Sequence, residues 1–571
     1  MLLALHSFDL IVLALYLLGT LGVGIYFSRG QKTTKDFFLA GRTMHWLPVS
    51  MSLVVTIFSA LSFTGLPAEA YKSGLLMLII VAAYWLALPI IVKIVIPFYY
   101  NLELYTAYEY LELRFALPVR VASSVAFVLW RMLWLGAVLY APCKVLLFTL
   151  GIDELENRAA LYGLMIGVGL LTTVYTFLGG MKAVIWTDAA QFCAVIVGIF
   201  FIVGCCTLGP DGTGLSRAWE IASQHEMTQL VHLQFSWNDR WFLWGILLHL
   251  LLAQLSFLTA DQITLQRYLT TRDLAAAKRS MLSGTLCKTV MVPMLVVMGM
   301  SLFAFYHDHS TRYEELLRNA PGDALRRAMK ADPQFDISSL RPDSRDPHVD
   351  TNLVMPYFIS HELPRGMAGL ILAALFAAAM SSMDSGLNSI STSMIVDFHR
   401  RLGIGRDWLA GRTGKPKEQL DEADELALGR PLTLALGIAA TGLGILISQV
   451  QDVFTIMIGV ANTFGGPLLA VFLLGMLSRR VGPRGAMAAL ILGTLATIWI
   501  TVAPGLADRG VCAWLWPWDV RPASLWSLNF GFAFSTLVGL TTSWVFDAKP
   551  PHDKLDGLVM GVGRQGLPNQ G

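Results

Sequence analysis

Residues 366–397 read GMAGLILAALFAAAMSSMDSGLNSISTSMIVD: an apolar, membrane-spanning helix that fills with hydroxyls toward its end. Ser381, Ser382, Ser385, Ser389, Ser391, Thr392 and Ser393 follow one another, with a single carboxylate, Asp384, among them. Ala378, Ser381, Ser382 and Ser385 fall at i, i+3, i+4 and i+7 and so share one helical face. Such a face, with a carboxylate one turn from Ser381, suits a small hard cation, which takes oxygen ligands. Polar groups at bilayer depth are costly without partners and mark ion or substrate paths. Small residues and serines also serve helix–helix packing, and for the alanines and serines alone the two readings are equal. Asp384 tilts the balance toward function.

The rest of the chain supplies the membrane. Of 571 residues 55% are hydrophobic and 14% charged, where a soluble domain carries about 25% charged, so an all-α polytopic membrane protein is expected. A net charge of +2 gives no reason to expect nucleic acid as a partner, and nothing in the sequence requires an obligate protein partner. The six cysteines lie almost all within apolar runs and lack metal-ligand spacing, so neither zinc nor disulfides are expected. Spans are expected at 8–27, 46–72, 75–98, 119–149, 160–178, 183–207, 241–262, 284–306, 366–397, 430–449, 453–477, 484–504 and 524–546, about thirteen in all. The first lacks a basic n-region and is followed by Arg29, Lys32 and Lys35 rather than a cleavage site, so it is read as a retained helix. An outside N-terminus places most short basic segments, including Arg267–Arg279 and Arg400–Lys417, in the cytoplasm together with the C-terminus. The plasma (inner) membrane is the expected location. The acidic loop 307–352 is long enough to translocate regardless of its arginines.

Two spans look interrupted. In 46–72, Gly65 and Pro67 fall in mid-membrane; in 241–262, Gln254, Thr259, Asp261 and Gln262 enter an apolar helix. Interruptions five spans apart point to an inverted-repeat secondary transporter with repeats in helices 2–6 and 7–11. The division expected is an extra helix and loop (1–45), a transport core (46–480), extra helices (481–548) and a disordered tail (549–571). The stretch 400–429 reads as a mobile loop with a short helix.

Four motifs, TAYEYLELRF (106–115), YTFLGGMKAVIWTDAAQ (175–191), ADQITLQRYLTTRD (260–273) and the 373–398 stretch, together resemble the sodium/solute symporter family. FLAGR (38–42) and FGGPLLAVFLLG (464–475) add to the match, which runs to about residue 480. With VLYAPCKVL (138–146), the second motif looks most like the branch carrying iodide, monocarboxylates and vitamins. The resemblance implies a LeuT-like 5+5 inverted repeat with one extra N-terminal and two extra C-terminal helices, and co-transported sodium. It implies a main sodium site from the carbonyls of Val55, Phe58 and Ala378 and the hydroxyls of Ser381 and Ser382. It also implies a second cation site at Asp188 with Ser381, Asp384 and Ser385, where Asp384 replaces a hydroxyl. Three readings stand for that replacement: a stronger cation site, a proton-sensitive one, or a structural hydrogen bond; a cation role is favoured.

The solute is less legible. The sugar carriers of the family have glutamines where Ser62 and Gly459 stand here, and helix 75–98 has no acidic residue, which argues against hexose. Arg131 lies in mid-span, either as half of an ion pair with Asp261 or as a fork for a carboxylate. Ser62, Thr259, Asp261, Asn462 and Thr463 are its candidate cavity neighbours. The expectation is therefore a sodium-coupled symporter, not an enzyme, importing a small organic solute such as a monocarboxylate or other small anion. A sugar, polyol or nucleoside is the alternative solute, and a transporter-like sensor the alternative class, although no signalling domain follows residue 546.

Overall fold

In hydrocarbon a backbone amide has no water to bond, so each apolar run closes its hydrogen bonds internally as a helix. The computed structural model describes residues 6–28, 33–102, 104–152, 157–319, 321, 323–332, 335–337, 340, 349–364, 366–449, 453–508, 510, 514, 516, 518, 522–551 and 555–560. Among these there is no β-strand, only isolated bridges.

Helix α1 (Ser7–Ser28) and the short α2 (Thr34–Leu39) precede a broken helix, α3 (Trp46–Ile57) and α4 (Ala60–Ser73). Then come α5 (Ile79–Ile90), continued through a π-turn into α6 (Ile96–Asn101), the short α7 (Ala107–Arg114) and α8 (Leu117–Thr149). Helix α9 (Arg158–Leu208) turns a corner at Gly180, whose φ of 53° and ψ of −162° suit glycine alone. Helix α10 (Leu215–Gln224) leads to a second broken helix, α11 (Leu243–Thr259) and α12 (Gln262–Leu269), bent by 55°. After α13 (Leu274–Asp308), the acidic loop contains α14 (Ser310–Asn319) and α15 (Asp323–Ala331), and α16 (Thr351–His361) follows it. Helix α17 (Met367–Ser393) runs on through a π-turn, and α18 (Arg406–Thr413) lies before α19 (Glu422–Ile447), α20 (Val453–Leu477), α21 (Pro483–Asp508) and α22 (Leu525–Phe546).

Every expected span falls on a helical segment. Among the described residues nine segments are long and apolar enough to cross a membrane, or ten with α11–α12 as one. The expected thirteen divides the continuous 60–101 and 158–208 segments at Gly74 and Gly180 and adds α22, which falls short of that test.

One expectation is corrected. The first break lies not at Gly65 and Pro67, which sit inside α4, but at Phe58, with ψ of 76°. Ser59 restarts the helix from the N-cap position, its carbonyl accepting the Ser62 and Phe63 amides at 2.9 and 3.0 Å. Pro67 withholds one donor from an established helix, which a membrane helix tolerates.

Helix α17 is the axis of the molecule. Every residue from Ile371 to Ser393 is buried, with α1, α8, α9, α19 and both broken helices packed around it. Just beyond its C-terminal end, Asp397 accepts from Thr106, Ser124 and Ser393 hydroxyls at 2.6–2.9 Å and pairs with Arg120 at 2.8 Å. Glu112 bridges Arg120 and Arg401, and Arg400 pairs with Glu425 inside α19. The stretch expected to be a loop is thus pinned at both ends around its short helix.

Candidate functional site

The first break meets α17 at its hydroxyl face. Because the backbone leaves the helix at Phe58, the carbonyls of Val55 and Phe58 receive no backbone hydrogen bond among the described residues. Ser382 donates to the Thr56 and Ala378 carbonyls, at 3.2 Å each, and so ties α17 to the break. Ser381 Oγ and Ser59 Oγ are buried without a hydrogen-bond partner. The structure therefore brings Ser381, Ser382 and Ala378 beside the break carrying Val55 and Phe58. Unclaimed carbonyl and hydroxyl oxygens at an interrupted helix are the donor set that holds sodium in broken-helix transporters.

Asp188 and Asp384 occupy the adjoining corner, both fully buried. Asp188 Oδ2 accepts from Ser52 at 2.5 Å, Thr56 at 3.4 Å and the Arg267 guanidinium at 3.1 Å. Arg267 also donates to Ser385, Ser52 and the Ile263 carbonyl, and Ser385 donates to Asp384 at 3.0 Å. Tyr175 donates to the other Asp384 oxygen at 2.7 Å. The expected second cation site, Asp188 with Asp384 and Ser385, thus already holds a cation from within the chain. The placement of Arg267 corrects the sequence reading: instead of opening a cytoplasmic basic loop it is completely buried in α12. Burying a guanidinium demands a carboxylate and further acceptors, and Asp188, Ser52 and Ile263 are among those supplied.

The second break is closed by its own surroundings. Asp261 caps α12 by accepting from the Ile263 amide at 3.3 Å. The Thr259 and Ala260 carbonyls accept from the hydroxyls of Tyr99 and Tyr108, at 2.8 and 3.1 Å. Asp261 also pairs two-pronged with Arg131, the Nε contact being 3.2 Å and both groups buried. The guanidinium lies 4.4 Å from the Trp130 ring and 5.3 Å from that of Phe257.

Of the other residues expected around a solute, Ser62 is partly exposed beside the break, and Thr259 keeps a buried, unpartnered hydroxyl. Thr463 is bonded within its own helix to the Gly459 carbonyl at 2.8 Å. The Asn462 amide donates to the Ser524 carbonyl and the Ser527 hydroxyl at the start of α22, at 3.2 and 3.1 Å, since an amide at that depth needs acceptors. Ser52, Thr56, Tyr175 and Arg267 were not among the expected site residues. Arg267 alone had a signal, a charge six residues beyond Asp261 inside one motif.

The sequence model of the sodium:solute symporter family matches residues 37–316 and 343–493. Over 509 residues the chain is 30% identical to a sodium-dependent multivitamin transporter of Oryctolagus cuniculus, covering 88% of this chain and 71% of that protein. It is 28% identical over 508 residues to a sodium/sialic acid symporter of Aliivibrio fischeri, covering 88% and 89%. The solved structure of a Na+-coupled sialic acid symporter in a substrate-bound outward-open state superposes with a TM-score of 0.75 at 25% identity, covering 95% of this chain and 98% of that one.

Proposed function

The chain belongs to the sodium:solute symporter family, and from that premise we propose that it imports a small organic solute, driven by sodium, by alternating access across the plasma membrane. It is an integral membrane transporter and not an enzyme. In the proposed arrangement the N-terminus is outside, the C-terminus is cytoplasmic, and residues 46–480 form the moving core. The observation that carries the proposal is the oxygen set at the first break: the open carbonyls of Val55 and Phe58, the Ala378 carbonyl, and the hydroxyls of Ser381 and Ser382. These oxygens are neutral, so they hold a monovalent cation modestly enough to release it. Sodium there would draw α3–α4 onto α17 and favour the solute-binding form; solute and ion together then shift the equilibrium toward the inward-open form.

For the solute, we favour a carboxylate or other small anion. Arg131 offers the two-pronged geometry a carboxylate fits, its partner Asp261 sits at a helix break that can rearrange, and some relatives are named for monocarboxylates and sialic acid. In this reading the carboxylate displaces Asp261 from Arg131. A second reading, a neutral sugar, polyol or nucleoside, is favoured by the completeness of the Arg131–Asp261 pair. Sodium-dependent uptake by proteoliposomes carrying Arg131→Ala, Asp261→Ala and both together separates them. If a carboxylate is the solute, Arg131→Ala abolishes uptake and the double variant stays inactive. Recovery in the double variant, which leaves no buried charge unpaired, would establish the neutral reading instead.

A further inference from the structure

The motif TAYEYLELRF (106–115) folds into α7, with Thr106 as its N-cap. It carries none of the oxygens of the proposed sodium and solute sites, yet it reaches three distant parts of the chain. Thr106, Tyr110 and Arg114 stand at i, i+4 and i+8 and so share one stripe of the helix. The Thr106 hydroxyl donates to Asp397, beyond the end of α17, at 2.8 Å. One turn on, the Tyr110 hydroxyl donates to the Leu558 carbonyl at 3.1 Å. Arg114 donates from Nε to the Gly475 carbonyl at 3.1 Å, and from Nη2 to those of Ser478 and Val481 at 2.8 and 3.1 Å. All three side chains are buried.

Leu558 falls in the tail expected to be disordered (549–571), but residues 555–560, LDGLVM, are docked. Asp556 and Gly557, the latter at a φ of 71°, make a tight turn that returns the Leu558 and Val559 amides to the Leu555 carbonyl, at 3.1 Å each. Leu555 and Val559 are buried together, while Leu558 and Met560 pack against the main core. The Met560 amide then donates to the Met476 carbonyl at 2.9 Å.

The last turn of a helix leaves its carbonyls without amide donors of its own. In α20 the donors come from elsewhere in the chain: Arg114 serves Gly475, and Met560 serves Met476. Tyr110 lies between them, its ring stacked on Phe472 at 6.2 Å, and a Cβ at Gly475 would come within 2.8 Å of its hydroxyl. One stripe of one short helix thus joins the end of α20, the tail and the Asp397 junction beyond α17. We infer that residues 555–560 form an intramolecular strap that holds the end of α20 against α7 and, through α7, keeps the Asp397 junction closed. In the proposed arrangement this end faces the cytoplasm, so the strap stabilises the form closed on that side and lets go when the core opens there. Contacts made in one form alone bias the equilibrium toward it. The inference rests on the alternating-access reading above.

The test compares the purified full-length protein with a chain ending at Lys554 and with Met560→Pro, which lacks the amide that serves Met476. Hydrogen exchange in sodium-free buffer is the first readout. Amides of α7 and of residues 394–401 around Asp397 should exchange about tenfold faster in the shortened chain, while α21 keeps wild-type rates. Radioactive-sodium binding is the second: with the form closed on this side less populated, half-saturation should need about threefold more sodium. Met560→Pro should shift both readouts in the same direction by less. Faster exchange confined to residues 474–477, with the Asp397 junction as protected as in wild type, overturns the inference. So does an unchanged sodium affinity where wild type binds the ion, including when the melting temperature falls equally in sodium and potassium. If the shortened chain does not fold, Met560→Pro decides by the same readouts. Failure of wild type to bind sodium in preference to potassium would count against the underlying reading, and the exchange rates, measured without sodium, then decide on the strap by themselves.

Discussion

The two broken helices differ in what they leave open. At the second break the Thr259 and Ala260 carbonyls are taken by Tyr99 and Tyr108, Asp261 caps the new helix, and Arg131 neutralises Asp261. At the first, the Val55 and Phe58 carbonyls have no backbone donor, and Ser59 and Ser381 keep unpartnered hydroxyls. An unsatisfied buried polar group costs about 1–3 kcal/mol, so the first break is worth keeping only if something from outside the chain completes it. At the second break the backbone carbonyls are satisfied and only the Thr259 hydroxyl is left over, whereas at the first the carbonyls themselves are open, and these are the oxygens proposed to take the ion.

The largest test of this contrast is the tethered cation. Arg267→Ala leaves Asp188 and Asp384 buried side by side, so the protein should lose about 3–5 kcal/mol of stability and all sodium-dependent uptake. Thermal unfolding in detergent checks the first and proteoliposome assays the second. Adding Asp188→Ala should return part of the stability without the uptake. Next is Ser381→Ala, which removes an oxygen from the open break. It should raise the half-saturating sodium concentration about tenfold, while the melting temperature in sodium-free buffer stays near wild type. The smallest effect belongs to the closed break. Tyr108→Phe strips one carbonyl of its donor and should cost about 1 kcal/mol, with sodium dependence unaltered. A sodium shift in Tyr108→Phe, or none in Ser381→Ala, would erase the distinction between the breaks.

Hydropathy and serine spacing made the helices and the α17 face legible, because bilayer depth and helical period impose both on a single sequence. The position of the first break was not legible. Gly65 and Pro67 carry a local signal for it, whereas the actual break depends on Ser59 restarting the helix beside α17. Arg267 was misplaced for a related reason: a charge that follows a span reads as loop unless its buried partner, here 79 residues earlier at Asp188, is known. The bond from Asn462 to Ser527 was not legible either, because the sequence around Asn462 is silent about α22, which packs beside it.

The most direct measurement of the central claim is the melting temperature of the purified protein as a function of sodium, with potassium as the control. Wild type should be stabilised by sodium and not by potassium, since only the state with ordered oxygens at the first break binds the ion. Ser381→Ala/Ser382→Ala should need at least about tenfold more sodium for the same stabilisation while melting like wild type in potassium. A double variant that follows the wild-type sodium curve would contradict the account, placing the ion somewhere other than the break.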